Sequence, residues 1–371
     1  MRLRPLFLLV SAALVAGGVG AAPNPAAVLD AMERAADWQL ANPHPRWKPT
    51  DWHNAAFYAG VMALASISES DRFHQAMVRM GEANRWKLGP RAYHADDHAV
   101  GQTYADLFFH DGGAERIAPM REAFDFILAH PKDDNLEFNR EKNPDRTDRW
   151  SWCDALFMAP PAWMRLWKAT GDARYLDFAN QKWWVTSDFL YDTEEHLYWR
   201  DSTIFPKREK NGAKVFWSRG NGWVMAGLVR VLELLPADHP DRSRYVQQFR
   251  EMAAKVVACQ QDDGLWRSSL LDPESYPMRE TSGSSFYCHA LAWGVNEGLL
   301  DREPHAAAAL RAWDAVVSCL EPDGKLTHVQ PVGYTPEKFD PQHTEPFGVG
   351  AFLLAGSEIH RMALRTRSTA R

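Results

Sequence analysis

The sequence predicts an all-α chain and, within that class, an (α/α)6 barrel: a closed toroid of helical hairpins. Three observations carry this expectation. Apolar residues recur at helical spacing in nearly every patterned segment, and long strand-like alternation is almost absent. The helical segments, roughly a dozen, follow one another as pairs. The linkers repeat as well. Cys259-Gln260-Gln261-Asp262-Asp263-Gly264-Leu265-Trp266 is echoed by Cys319-Leu320-Glu321-Pro322-Asp323-Gly324-Lys325-Leu326, and Tyr191 to Trp199 is a degenerate third copy. The clear copies lie about 60 residues apart, a spacing that fits repeated helix pairs. An open solenoid is the alternative, but no consensus repeats cleanly.

In chain order, residues 1–22 come first. Arg2 and Arg4 precede the apolar run Pro5 to Val15, and small residues follow to Ala22, as in a secretory signal cut near that point. The run is too short for a confident membrane anchor. Residues 23–371 are then expected to form one barrel domain, exported to the periplasm or secreted, with no membrane association after signal cleavage. The expected helices are 26–42, 54–68, 73–87, 99–109, 117–130, 154–170, 173–192, 224–235, 242–260, 284–297, 304–320 and 348–362. The helix over 54–68 is apolar almost all round, which predicts a buried position. Gly171-Asp172 is a clear stop after the strongly apolar 154–170 segment.

Composition limits the function. Of 371 residues, 46% are hydrophobic and 24% charged, ordinary for a globular protein. A net charge of -6 without a basic stripe argues against nucleic acid as a partner. One local arginine still suffices for a small anion. The 16 Trp are abundant and fit an aromatic-lined cleft, although core filling accounts for most of them. The four cysteines show no metal-ligand spacing, and buried free thiols are expected for most. No nucleotide-binding glycine pattern and no serine-hydrolase elbow is present. No cofactor and no metal are expected; His94 and His98 lack further obvious ligands.

Four stretches could carry chemistry. The first is Trp217-Ser218-Arg219-Gly220-Asn221-Gly222-Trp223, ahead of an apolar helix. Arg219 offers a planar fork for a carboxylate, Asn221 suits hydroxyls, and Trp217 and Trp223 are faces for a sugar ring. The glycines would let the backbone turn sharply or approach a ligand. A glycine-bearing turn with two core tryptophans fits equally well. The second is Trp150-Ser151-Trp152-Cys153-Asp154, where Asp154 is either a first-turn acid favoured by the helix dipole or a cleft acid whose pKa is raised by indole walls. The third is His94-Ala95-Asp96-Asp97-His98, in which one Asp caps a helix and the other could supply a second cleft carboxylate. The fourth is Glu280-Thr281-Ser282-Gly283-Ser284, where Ser or Thr reads as an N-cap.

Together with the closing Gly348 to Glu358, these motifs resemble glycoside hydrolase family 105, the unsaturated rhamnogalacturonyl hydrolases, and more distantly the unsaturated glucuronyl hydrolases of family 88. The resemblance spans most of the mature chain and implies an (α/α)6 barrel. It also implies a substrate from polysaccharide lyases, an oligosaccharide with a 4,5-unsaturated uronic acid at its nonreducing end, from pectin or another plant or algal polymer. In this reading Asp154 protonates C4 and activates water, with Asp96 assisting. Asp97, His94, Trp152, Arg200, Trp217, Arg219, Asn221, Trp223, Thr281 and Ser282 bind the substrate. The family often places a histidine after the third hairpin, where this chain has Leu197-Tyr198-Trp199-Arg200-Asp201-Ser202. Arg200, Asp201 or His196 would take that contact. A conventional inverting glycosidase on the same toroid, and a non-catalytic sugar-binding protein, are the alternatives. A monomer or weak homodimer is expected.

Overall fold

The computed structural model describes residues 23–369; the expected signal sequence at 1–22 lies outside them. Six hairpins each pair an outer with an inner helix. In chain order they are α1 (Pro25–Ala41) with α2 (Trp52–Ala65), and α3 (Arg72–Ala83) with α4 (Ala95–His98) and α5 (Val100–Asp111). Next come α6 (Ala118–Ala129) with α7 (Ala155–Met158) and α8 (Pro160–Thr170), then α9 (Ala173–Leu190) with α10 (Ser218–Leu232). The last two are α11 (Arg242–Ala258) with α12 (Thr281–Asn296), and α13 (Arg302–Val317) with α14 (Pro346–Thr369). The inner helices close a ring, α2–α5–α8–α10–α12–α14 and back to α2, and the outer helices pack around it. Inner helices are therefore covered on every side. All residues of α10 are buried, and all of α12 except Val295. Such helices need apolar or small residues around their whole circumference, and the sequence of each supplies them.

Two inner helices are broken near their starts. The sequence pattern predicts one helix over 154–170, but Pro160 and Pro161 lack the amide hydrogens that would bond back to the carbonyls of Leu156 and Phe157. The chain turns at Ala159 and restarts as α8. The freed carbonyl of Phe157 finds another donor. Gln102 on α5 donates to Phe157 O at 2.8 Å and to Met158 O at 3.3 Å. A Cβ at Gly227 would stand 2.5 Å from Leu156 O, so only glycine lets α10 pack there. The one-turn α4 likewise precedes α5.

The repeated linkers are tight turns between an outer helix and the next inner one. In the first clear copy Gly264 (φ +85°) fits against the Arg311 carbonyl of α13, and Gln260 donates to Ala308 O at 2.9 Å. In the second, Gly324 (φ +96°) fits against the Arg34 carbonyl of α1, and Trp38 donates to Asp323 at 3.2 Å. The degenerate copy is a two-strand hairpin, β1 (Tyr191–Asp192) with β2 (Leu197–Tyr198). Its turn reaches α11 through Lys255 and Glu195, 2.6 Å apart. Each turn thus clips the next outer helix, and the copy at Gly324 clips the last hairpin to the first. All four cysteines are free. No described helix is long and apolar enough to cross a membrane.

Ring closure at Gly324 predicts a graded response to alanine. Gly324→Ala places a Cβ 2.4 Å from Arg34 O at a left-handed φ, whereas Gly298 (φ +69°) has open space around it. Gly298→Ala should cost roughly 1 kcal/mol in denaturant unfolding, and Gly324→Ala clearly more, since clash adds to backbone strain. Equal losses would remove the close contact from the account of closure.

Candidate active site

The broken turns set two carboxyls at one end of the barrel. Asp96 lies in α4, and Asp154 is the N-cap residue of α7, with no capping hydrogen bond from its side chain. The Asp96 side chain is 16% exposed and that of Asp154 13%, so both are poorly solvated yet reachable from the cleft. Burial raises Asp96 to about 7, helped by the charge of Asp154. Burial also raises Asp154, opposed chiefly by the charge of Arg200. Two acids that feel one another titrate as a pair, and this pair keeps a proton where isolated carboxyls would have lost theirs. Cys153 donates its thiol to Asp154 Oδ2 at 3.6 Å, and burial raises that thiol, so it stays a neutral donor.

Asp97 faces the other way. Its carboxylate takes Arg91 Nη2 at 2.5 Å and the Arg91 amide at 2.7 Å. It packs so closely on Gly89 that a Cβ there would stand 2.4 Å from its Cγ. Asp97 therefore ties the preceding loop, and Asp96 is the cleft residue. Neither caps α4: His94 Nδ1 accepts from the Asp96 amide at 3.3 Å. Burial first, then the charge of Arg91, pulls His94 down to about 3, so it is neutral at working pH and free to accept. Its ring lies 5.0 Å from that of Trp152, which lines the same wall and is 3% exposed.

Arg200 is the cation of the cleft. Its Nε stands 3.5 Å from Asp154 Oδ2, while Nη1 donates to the buried Asp201 at 2.7 Å. Asp201 is fixed in turn by the amide and hydroxyl of Thr203. The guanidinium lies over Phe138, 4.8 Å away, and near Tyr334 at 5.8 Å. His196 points elsewhere, to Tyr191 and Glu251.

The 217–223 motif holds the site from behind. Helix α10 begins at Ser218, so the motif is its first turns and not a loop before it. Arg219 is 1% exposed, and its Nη atoms donate to the carbonyls of Gln330 at 2.7 Å and Pro331 at 2.8 Å. Its guanidinium is sandwiched by Trp217 and Phe347 at 4.6 and 4.8 Å. Asn221 bonds Tyr198 N at 2.7 Å and Tyr198 O at 3.0 Å, fixing the strand ahead of Arg200. Trp223 is fully buried against Phe157, Phe286 and Trp52. Trp217 donates to Gln330 at 2.9 Å and is 2% exposed. Ring closure around α10 buries these side chains and pairs most of their polar groups with the protein, while Arg219 Nε and Trp223 Nε1 are buried without a hydrogen bond. The glycines serve packing rather than a sharp turn; a Cβ at Gly220 would meet Trp217 at 2.7 Å and Cys153 at 3.1 Å.

Thr281 and Ser282 are likewise buried. Helix α12 begins at Thr281, and the capping side chain is Glu280, which accepts from the amides of Ser282 and Gly283 at 2.8 and 2.7 Å. Thr281 donates to Thr327 O and Ser282 to Glu280, both fully buried. Residues without a sequence signal complete the mouth. Phe138 is positioned by Ser202, whose Oγ accepts from the Phe138 amide at 2.9 Å. Tyr334, 55% exposed, stands on a loop tied by Gln330 Nε2 to Thr335 O at 3.0 Å. His53 is stacked between Trp47 and Trp52 at 3.7 Å each, and burial pulls it down to about 3.

The sequence profile of the family described as Glycosyl Hydrolase Family 88 matches residues 27–363. A protein of Formosa agariphila named "Unsaturated 3S-rhamnoglycuronyl hydrolase" is 39% identical over 341 residues, 89% of this chain and 90% of that one. A protein of an Alteromonas species with the same name is 35% identical, covering 88% of this chain and 84% of its own. A solved structure described as a glycosyl hydrolase of family 88 from Bacteroides vulgatus superposes with a TM-score of 0.82 at 31% identity, over 91% of this chain and 99% of that one.

The raised Asp96 has a consequence for stability. In the unfolded chain an aspartate ionises near pH ~4, whereas in the fold Asp96 holds its proton to about pH 7. Its contribution is thus fully present at acid pH and is lost as pH rises from the first value to the second. Asp96→Asn, which never ionises, should match the wild-type melting temperature in acid and exceed it at pH 8. A variant melting below wild type at pH 8 would show that Asp96 is a stabilising anion instead.

Proposed function

The chain belongs to Glycosyl Hydrolase Family 88, and on that premise we propose that it removes a 4,5-unsaturated uronic acid from the nonreducing end of lyase-generated oligosaccharides. The observation that carries this reading is the pair Asp96 and Asp154, buried together, holding a proton near neutrality, with Arg200 beside Asp154. Hydration of a vinyl ether needs a proton donor aimed at carbon, a base for water and a cation for the uronate. These residues supply all three.

Asp154 gives its proton to C4 of the C4=C5 bond, and positive charge develops at C5, shared with the ring oxygen. The Asp154 carboxylate then takes a proton from water, whose oxygen bonds to C5. The resulting hemiketal opens to a ketone at C5. That leaves a hemiacetal at C1, which releases the neighbouring sugar as an alcohol and becomes an aldehyde. One water is consumed and Asp154 ends protonated, as it began. Asp96 keeps the shared proton available. Arg200, with Nε free of any hydrogen bond and Nη1 fixed by Asp201, takes the C6 carboxylate. Arg219, the other expected partner of that carboxylate, has its Nη atoms on backbone carbonyls and its Nε without a hydrogen bond. Trp152, His94, Phe138 and Tyr334 line the sugar. The relatives' printed name supports rhamnose as the next residue and argues for a rhamnoglycuronyl disaccharide over pectin fragments. The apolar run and small residues of 1–22 support export to the periplasm or beyond.

With unsaturated rhamnoglycuronyl disaccharide, wild type should bleach the ultraviolet absorbance of the conjugated double bond. Asp154→Asn should lower kcat/KM by about 10²-fold or more, and Arg200→Gln should chiefly raise KM. The rate should fall as pH rises through about 7, where the pair gives up its shared proton. Turnover of saturated oligosaccharides with persistent ultraviolet absorbance would identify a conventional glycosidase instead.

A further inference from the structure

We propose that the far end of the barrel carries a binding site for a divalent transition metal of the zinc class, held by His74, His110 and Asp111. Nothing in the hydrolytic chemistry calls for it. The three residues come from the two arms of one hairpin: His74 from the first turn of α3, His110 and Asp111 from the last residues of α5. Their ligand atoms all lie within 4.8 Å of one another. His74 Nε2 is 3.1 Å and His110 Nδ1 2.5 Å from the Asp111 carboxylate. Donors around a tetrahedral zinc stand roughly 3.3 Å apart, so small side-chain rotations bring these three to a common centre.

The second observation is independent of that clustering. Neither ring nitrogen of His74 makes a hydrogen bond, although both are shielded from solvent. The contact to Asp111 is close but misdirected for N–H···O, which is the relation expected when two donor atoms converge on a third centre. On its other side, His74 Nδ1 lies 3.5 Å from Asp71. A carboxylate behind a metal-facing imidazole fixes the tautomer that leaves Nε2 free to ligate. A third feature gives access. His74, His110, Asp71 and Glu69 line a cavity of about 550 Å³, wide enough for a hydrated ion. The C-terminal end of α5 adds partial negative charge. Arg116 is the competitor: it donates to Asp111 Oδ2 at 2.5 Å and to Leu107 O at 3.0 Å. The other oxygen, Oδ1, is hydrogen-bonded to His110 Nδ1 at 2.5 Å, and a metal would take the place of that shared proton. Two imidazoles with one carboxylate select zinc-like ions over magnesium or calcium, which prefer all-oxygen shells. The ion would clasp α3 to α5.

The test is titration of the chelator-treated, untagged protein with Zn²⁺ alone, followed by calorimetry and by melting temperature. Wild type should bind one ion per chain and melt higher with it. His110→Ala removes a ligand whose side chain is 68% exposed, so the fold should survive. It should weaken binding at least ~10-fold, and His74→Ala should do the same. Unchanged Zn²⁺ affinity in His110→Ala, no binding by wild type at micromolar zinc, or equally tight binding of Mg²⁺ or Ca²⁺ would each overturn the site.

Discussion

The inner helix that carries Asp154 cannot run through Pro160, and much of the site's geometry follows from that constraint. A continuous helix over 154–170 would keep its carbonyls satisfied within itself. Two adjacent prolines remove the donors that Leu156 and Phe157 require. Gln102 supplies a replacement at Phe157, and Gln102 is held by Arg230, whose Nε donates to its Oε1 at 2.6 Å. Arg230 also reaches Asp106, 3.3 Å away, and Asp106 bonds Arg165 at 2.7 Å. A line of buried polar contacts therefore runs down the ring interior from the turn bearing Asp154 to the opposite end. Each member is satisfied by the next, so removing any one leaves a buried group unpaired.

The cleft is a contest between burial and charge, and burial wins for both acids. Arg200 opposes the rise of Asp154, and Arg91 and Arg200 oppose that of Asp96, yet both are raised. Six inner helices point their N-termini toward this end, since Trp52, Asp96, Asp154, Arg219, Thr281 and Phe347 all lie in the first turns of their helices or at a cap. Their partial positive charges favour a uronate, and they would favour ionised carboxyls too. The acids remain raised because the walls that exclude water are aromatic. Arg219 illustrates the opposite outcome. Burial lowers it, but Glu280, Asp154 and Glu345 oppose that shift. It remains a cation whose Nη donors are met by carbonyls while Nε is unpaired, and it ties α10 to the last linker.

The architecture was legible because it rests on periodicity and on repeated turns, both local properties. The linker pairs 259–266 and 319–326 foretold successive hairpins, and the glycines in them carry the positive φ that the turns require. Motif positions were legible too, as the two carboxyls and Arg200 occupy one end of the ring. Side-chain direction was not. A Trp-Arg-Asn-Trp run looks alike whether it faces sugar or core, and only closure of the ring decides that Arg219 and Asn221 point inward. Asp96 and Asp97 are likewise equivalent until Arg91, held six residues away, claims one of them. Phe138 and Tyr334 had no signal, since each sits in a loop without periodicity and meets Arg200 only in space.

Closure of the ring and construction of the site are the same event. Each of the last three linkers from an outer to an inner helix begins with a turn that clips the next outer helix and ends at the cleft. The linker over 191–217 delivers Arg200, that over 259–280 delivers Glu280, and that over 318–345 delivers Gln330 and Tyr334. The last of them is held at both ends: Gly324 seats on α1, and Gln330 receives Trp217 while its carbonyl receives Arg219. Arg219 can meet those carbonyls only once the sixth hairpin has docked on the first. A loosened contact at Gly324 would therefore be felt some distance away, as misplacement of Tyr334 over Arg200, before the barrel itself came apart.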